Sequence, residues 1–177
     1  MIFQSIKTLH LKKTQIFEII IKLKNTYWKF GLRSQTEWFY KNSFPNDLHN
    51  IIINKKKIIG YTFLANRFYS TYNAQKKTKK KKYILFSSLI INKKFRNIKN
   101  ASKLMNFNNK IIKKNKKISF LYCDKDKINF YKFFNWTTLT KKDFKVPDHK
   151  SNQIGMLFCL SKKVLIKNKD FKFYYYL

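Results

Sequence analysis

The stretch from Tyr83 to Trp136 constrains this chain more than any other feature. An apolar run (YILFSSLII) leads into a basic, polar turn (NKKFRNIKNAS), then an amphipathic segment (KLMNFNNKIIKK), a second apolar run (KISFLYC) and finally FYKFFNW. Short unbroken apolar runs read as strands buried on both faces. Between them Ala101, Leu104, Met105, Asn108, Ile111 and Ile112 recur at i, i+3, i+4, i+7 spacing, which predicts one face of a helix. A strand, a helix and a second strand in that order make a crossover unit, so the two strands are expected side by side and parallel.

The turn between strand and helix is where chemistry is most readily placed. A helix that starts after a strand leaves free backbone N–H groups and the positive end of its dipole pointing outward, a ready pocket for a diphosphate. Arg96 and Lys99 stand in that turn and are able to add charge-assisted bonds to phosphate oxygens. Ala101 and Ser102 are small enough for close approach. A basic helix N-terminus with no ligand is the competing reading of the turn taken alone.

The rest of the chain reads as one domain, 14–177, behind a loosely ordered basic lead at 1–13. Gln15–Leu23 (QIFEIIIKL), rich in β-branched and aromatic residues, predicts a first strand. Asn25–Tyr40 predicts one or two short helices interrupted near Gly31, and Ser43–Asp47, with Pro45, a loop. Asn50–Asn54 and Ile58–Leu64 predict a hairpin whose solvated tip is Asn54–Lys57. Phe68–Lys82 predicts a loop that becomes almost pure Lys. Lys127–Phe134 predicts a short helix, Thr137–Thr140 and Met156–Leu160 closing strands, and Lys141–Gln153 a polar loop with Pro147. The aromatic tail (FKFYYYL) is expected to pair as an edge strand or to dock on a hydrophobic surface.

Charge restricts the partners. Lys and Arg number 40 against 8 Asp and Glu, a net charge of +32, and such a field draws in polyanions whatever the fold. An A+T-rich coding sequence supplies the same Lys, Asn, Ile, Phe and Tyr without any partner. With 44% hydrophobic residues the chain is not a disordered polymer. Cys123 and Cys159 both sit in apolar runs and are expected as buried thiols of a reducing compartment, cytoplasmic or an organelle matrix; no zinc-like spacing occurs. No apolar stretch approaches the roughly 20 residues of a membrane helix.

In the order of these elements, Ile51–Leu160 resembles the GNAT superfamily of acyl-CoA-dependent N-acetyltransferases. Arg96-Asn97-Ile98-Lys99-Asn100-Ala101 stands where that family carries Arg/Gln-x-x-Gly-x-Gly/Ala, followed by Ser102, Leu104 and Met105. Phe130-Tyr131-Lys132-Phe133-Phe134-Asn135-Trp136 stands where it carries Phe-Tyr-x-x-x-Gly-Phe, and Gly60 falls at an Ile-Gly pair of the third strand. Lys99 and Asn135 replace family glycines. The resemblance implies an α+β domain with a central, mixed and mostly antiparallel sheet, a parallel strand pair at the cofactor cleft and helices on both faces. It implies acetyl-CoA as co-substrate, held by Leu89, Ile90 and Ile91 and by Arg96, Asn97, Lys99, Asn100, Ala101 and Ser102. It also implies Tyr131 as the acid that protonates the departing thiolate.

A base is harder to place. The fourth strand offers only Ser87 and Ser88; upstream lie Glu18, Glu37, Asp47 and His49, of which His49 is the candidate catalytic base, with an ordered water as its rival. The Arg33-Ser34-Gln35 and Trp38-Phe39 segment, in the family's acceptor region, leans toward a small amine acceptor such as an amino sugar. A second function on the same fold is a non-catalytic, ribosome-associated or RNA-binding module, with Lys-rich loops at Lys55–Lys57, Lys76–Lys82 and Lys113–Lys117 on phosphates. Peripheral membrane binding ranks third, because no convincing amphipathic membrane helix is evident.

Overall fold

The structure is a computed structural model of the chain, described here for residues 1–12, 14–71, 80–142, 144–148, 151–158 and 171–176. The chain divides into two compact units, Met1–Ala65 with Ser87–Asn108, and Asn66–Phe86 with Asn109–Leu177. The architecture is α+β, with a mixed, mostly antiparallel sheet.

The first unit opens with strand β1 (Ile2–Lys7), helix α1 (Thr8–Leu11), helix α2 (Gln15–Tyr27) and helix α3 (Leu32–Asn42). Strand β2 (Leu48–Asn54) turns into strand β3 (Lys57–Thr71), and strand β4 (Lys81–Ile91) leads through a short 3-10 turn, Lys93–Phe95, to helix α4 (Ile98–Lys114). β1 pairs antiparallel with β2 from Ile2↔Ile53 to Lys7↔Leu48, so the expected loose lead is an ordered edge strand. Phe3 and Ile6 are half-buried, three positions apart and so on opposite faces of β1, and the ladder to β2 orders the segment.

The predicted first strand at Gln15–Leu23 is instead helix α2. Its buried residues Ile20, Ile21, Leu23 and Lys24 fall at helical spacing, and packing of that face overrides the β preference of the Ile run. Gly31 separates α2 from α3 with φ +86°, a left-handed value that favours glycine. The hairpin tip holds as expected: Asn54 faces Lys57, and Lys55 and Lys56 both take positive φ, 46° and 62°, the backbone of a two-residue hairpin turn. Gly60 is where β3 meets the helix layer. A Cβ there would lie 2.9 Å from Ile91 Cδ1 and 3.3 Å from both Ile52 Cδ1 and Leu104 Cδ2.

In the second unit the first half of β4 pairs parallel with strand β5 (Ser119–Cys123), Ile84 with Ser119 and Leu85 with Phe120. Ser119 Oγ also donates to Ile84 O at 2.7 Å. The crossover through α4 therefore delivers the parallel pair that the sequence order demands. Helix α5 (Ile128–Phe133) precedes strands β6 (Thr137–Thr138), β7 (Phe144–Lys145), β8 (Ile154–Phe158) and β9 (Phe171–Phe173). β8 lies antiparallel between β5 and β6. β9 pairs antiparallel with β3 and parallel with β7. The aromatic tail thus answers its expectation both ways: it pairs as a strand, and Phe173 stacks on Phe120 at 4.4 Å between centroids.

Phe68–Thr71 and Lys81–Lys82, expected as loop, are strand; positions 72–79, most of the Lys block, lie outside the described residues. Cys123 is a buried free thiol whose pKa is pushed up to about 11 by burial, then by Asp124 and Asp126, so it stays protonated. Cys159 lies outside the described residues. Among the described residues no helix is long and apolar enough to cross a membrane.

Candidate functional site

Strand β4 ends in a turn built almost entirely by asparagines. Asn92 Oδ1 accepts from the Lys94 N–H at 3.1 Å, and the Asn92 N–H donates to Ile59 O at 2.8 Å, which fixes the strand end and opens the 3-10 turn. Asn97 then caps α4: its Oδ1 accepts from the Asn100 N–H at 2.8 Å, while its carbonyl takes the first helical bond, from Ala101 N–H at 3.2 Å. Asn100 reaches back to Phe95 O at 2.8 Å. The N–H groups of Ile98 and Lys99 have no partner among the described residues, and α4 has no acid in its first turn. Two open amides, the positive end of a 17-residue helix and exposed Lys93, Lys94, Arg96 and Lys99 meet in one turn.

Tyr27 ties this turn to the strand. Its hydroxyl donates to Ile91 O at 2.9 Å, and the Arg96 guanidinium lies 4.5 Å above its ring. Leu89 and Ala101 pack against the core cluster of Ile52, Ile59, Ile91 and Leu104. Their side chains hold helix on strand, so what they offer a ligand is backbone. Ile91 offers less than expected, because Tyr27 already occupies its carbonyl. Ile90 is fully buried, and Ser102 is half-buried in the first turn.

Lys99, in the place of a family glycine, lies in regular helix with an exposed side chain. The position needs no left-handed backbone, and the side chain points to solvent. Inside β4, Ser88 does carry a left-handed φ of 61°. A left-handed residue in mid-strand turns its neighbouring peptide groups out of the ladder, and such strain in a non-glycine residue clusters at functional positions.

Tyr131 belongs to the second unit. Its ring is buried, edge-on to Phe86 at 6.3 Å and to Trp136 at 6.2 Å. Burial, with Cys123 and Asp124 behind it, raises its pKa well above that of a free phenol, so the hydroxyl holds its proton. No described residue bonds that hydroxyl. The chain below Tyr131 closes in a Schellman turn: Trp136 N–H donates to Tyr131 O at 3.2 Å and Asn135 N–H to Lys132 O at 2.9 Å. Asn135 supplies the left-handed residue, φ 64°, in the place of the second family glycine. Asn109 locks the turn by donating to Phe134 O and accepting from Trp136 Nε1.

His49, the candidate base, sits enclosed in the first unit. His49 is 0% exposed, with Nε2 2.8 Å from Thr8 Oγ1 and Nδ1 2.9 Å from Tyr61 Oη. Phe39 and Phe63 stack on its faces at 5.1 and 4.9 Å. Burial first, then nearby Lys24, lowers its pKa to about 3, so the imidazole is neutral and enclosed. Arg33 of the expected acceptor segment makes an exposed ion pair with Glu37 at 2.8 Å, and Gln35 Nε2 donates to Trp28 O at 2.8 Å.

Sequence reasoning missed Tyr27, Asn92 and Ser88. Asn92 and Asn97 follow the general signal of a polar cap before a helix. Nothing in the sequence announces the left-handed Ser88 or the reach of Tyr27 across 64 positions to Ile91.

No protein-family model matches the sequence, and no curated protein does either. Solved structures do. The GNAT family N-acetyltransferase YhbS from Escherichia coli, solved in complex with CoA, superposes with a TM-score of 0.66 at 10% identity, over 98% of this chain and 89% of that one. An acyl-CoA N-acyltransferase from Pseudomonas aeruginosa superposes with a TM-score of 0.63 at 9% identity, over 89% and 99%. This chain has the GNAT fold. The aminoglycoside 6'-N-acetyltransferase from Enterococcus faecium follows at 0.59 and 11% identity, over 89% and 96%. Identities this low speak for architecture, and the chemistry has to be argued from the turn and from Tyr131.

Proposed function

We propose that this protein is an N-acetyltransferase that moves an acetyl group from acetyl-CoA to a primary amine of a small molecule. The observation that carries the proposal is the turn after β4. On a GNAT fold it presents two open helix-opening amides with Arg96 and Lys99 beside them, and no acid in the first helical turn. That set suits a diphosphate, which amides meet along the helix axis and cations meet from the sides. Bound acetyl-CoA would supply an activated thioester. Arg96 is preorganised over Tyr27 to clamp phosphate oxygens, and the backbone of Leu89 and Ile90 is available to the pantetheine arm.

The peptide groups beside the left-handed Ser88 are our candidates to receive the developing oxyanion, since a backbone N–H in a fixed position needs no reorganisation. Tyr131 keeps its proton at neutral pH and is suited to give it to a thiolate. Buried and neutral, His49 is poorly placed to take a proton from an incoming amine. β4 brings Ser87 and Ser88 rather than a carboxylate, so the amine loses its proton to water. A net charge of +32 disfavours a polycationic acceptor, and a neutral or acidic small amine, an amino sugar among them, fits better.

Thermal unfolding in an acetyl-CoA titration tests this. At ligand about a hundredfold above its dissociation constant, stabilisation of about 2.7 kcal/mol is expected. The shift should shrink in Arg96→Ala. No shift at millimolar acetyl-CoA overturns the proposal.

A further inference from the structure

Helix α4 carries a row of exposed lysines with no acid in its first turn. Lys99, Lys103, Lys110 and Lys114 are all exposed, and at 100° per residue they fall within about 60° of one another. Asn106 is the residue that continues the row between Lys103 and Lys110, and it too is exposed. The ion pairs Arg33–Glu37 and Lys127–Asp126 lie away from this row. Between Asp47 and Asp124 the chain contains no acid at all.

Like charges at i, i+4, as at Lys99/Lys103 and Lys110/Lys114, destabilise a helix, and a lysine in the first turn also opposes the dipole. The helix tolerates this because Leu104, Met105, Asn108 and Ile112 are buried on its other side. Water and salt screen this repulsion at exposed positions, and an anion that runs along the axis would relieve it further. From Lys103 to Lys114 the row covers about 16 Å, a length that spans several phosphates of one strand.

The composition of the face decides among polyanions. A membrane surface calls for apolar residues flanking the cations, and between Lys103 and Lys114 every exposed residue is Lys or Asn. A protein partner calls for an aromatic or aliphatic centre, and the row has none. No Arg fork or exposed aromatic stands in the row to read or stack bases. We propose that the solvent face of α4 from Lys103 to Lys114 binds the phosphate backbone of nucleic acid without regard to sequence. This is independent of the acetyltransferase proposal, and Lys99, which belongs to the turn, is left out of its test.

The experiment measures binding of the full chain to a fluorescent single-stranded RNA of about 20 nucleotides across a salt series. Each phosphate contact on a single strand contributes about −0.7 to the slope of log affinity against log salt. The triple variant Lys103→Gln, Lys110→Gln, Lys114→Gln should flatten that slope by about 2. Between roughly 50 and 200 mM salt its affinity should therefore fall about twentyfold less than the unmodified chain's. A second triple, Lys22→Gln, Lys29→Gln, Lys41→Gln, removes the same charge from exposed positions of α2, α3 and their connection, and should leave the slope within about 0.5 of the original. Circular dichroism checks that both variants fold, and a scrambled RNA sequence should bind alike. Equal flattening by both triples overturns the proposal, because the attraction is then diffuse. So does no measurable RNA binding at physiological salt, and so does binding to phosphatidylserine vesicles that depends on the row when RNA binding does not.

Discussion

Lys24 is a cation buried in a protein that already carries +32, and replacing it should stabilise the fold. The residue is 3% exposed on the inner face of α2, with its ammonium 3.8 Å from the centroid of the Trp38 ring. Burial lowers its pKa from 10.5 to about 8. That difference corresponds to about 3 kcal/mol against the charged form at neutral pH. The Trp38 face returns up to about 2 kcal/mol of it. Lys24→Met keeps the stem, removes the charge and should gain about 1–2 kcal/mol at pH 7, a rise in Tm of about 3–6 °C for a chain of this size. The pH dependence gives the signature. The folded pKa lies below the unfolded one, so between about pH 8 and 10.5 the unfolded chain binds more protons, and the stability of the unmodified protein rises with pH through that window. The variant lacks this rise, and its advantage should vanish by about pH 10.5. Urea unfolding of both proteins at pH 7, 8.5 and 10 measures it. A gain that does not change with pH, or a loss of stability at pH 7, refutes the reasoning.

Three further outcomes follow from the same physics. His49 is neutral when folded and its pKa falls from 6.5 to about 3, so stability that is present above pH 6.5 is lost on acidification; at pH 5 the loss from this residue should be about 2 kcal/mol, and His49→Gln should flatten the profile in urea melts. Asn135 holds a left-handed φ, so Asn135→Ala should cost about 1 kcal/mol while Asn135→Gly costs little or stabilises, read as Tm. Tyr131→Phe should lower kcat for acetyl transfer by about 10²-fold or more with the acetyl-CoA Kd unchanged, and equal turnover removes Tyr131 from the mechanism.

The legible part of the fold is the part where every local signal agrees. From Tyr83 to Trp136 the apolar runs, the helical period of Leu104, Met105 and Ile112 and the polar turns all point to the same elements, and the parallel β4–β5 pair follows from their order. A misread part is α2, where Lys24 is buried beside Ile20, Ile21 and Leu23: the polar residue interrupts the apolar stripe, and the Ile run taken alone looks like a strand. β1 shows no period-2 apolar face, since its half-buried residues Phe3 and Ile6 lie three apart, and its order comes from a ladder to β2. His49 stands out in the sequence as one of few titratable groups upstream of the fourth strand. The neighbours that decide its chemistry, Thr8, Tyr61, Phe39 and Phe63, are brought by other elements.

The two missing glycines weigh less than their loss suggests. A glycine is hardest to replace where the backbone needs positive φ, as at Gly31. At Lys99 the backbone is helical, and at Asn135 asparagine adopts the left-handed form in a fully bonded Schellman turn. The residue that does alter the turn is Asn97. Its side chain takes the Asn100 N–H, one of the amides a phosphate would otherwise meet, and a cap of this kind stabilises a helix by about 1 kcal/mol. A phosphate that displaces the cap must overcome that amount, so Asn97→Ala should destabilise the free protein by about 1 kcal/mol and tighten CoA binding by up to about fivefold. Calorimetry on the two proteins decides it. Weaker CoA binding in Asn97→Ala, alongside the expected loss of stability, means that the asparagine amide itself meets the phosphate, and that the turn holds its ligand by side chains rather than by the open end of α4.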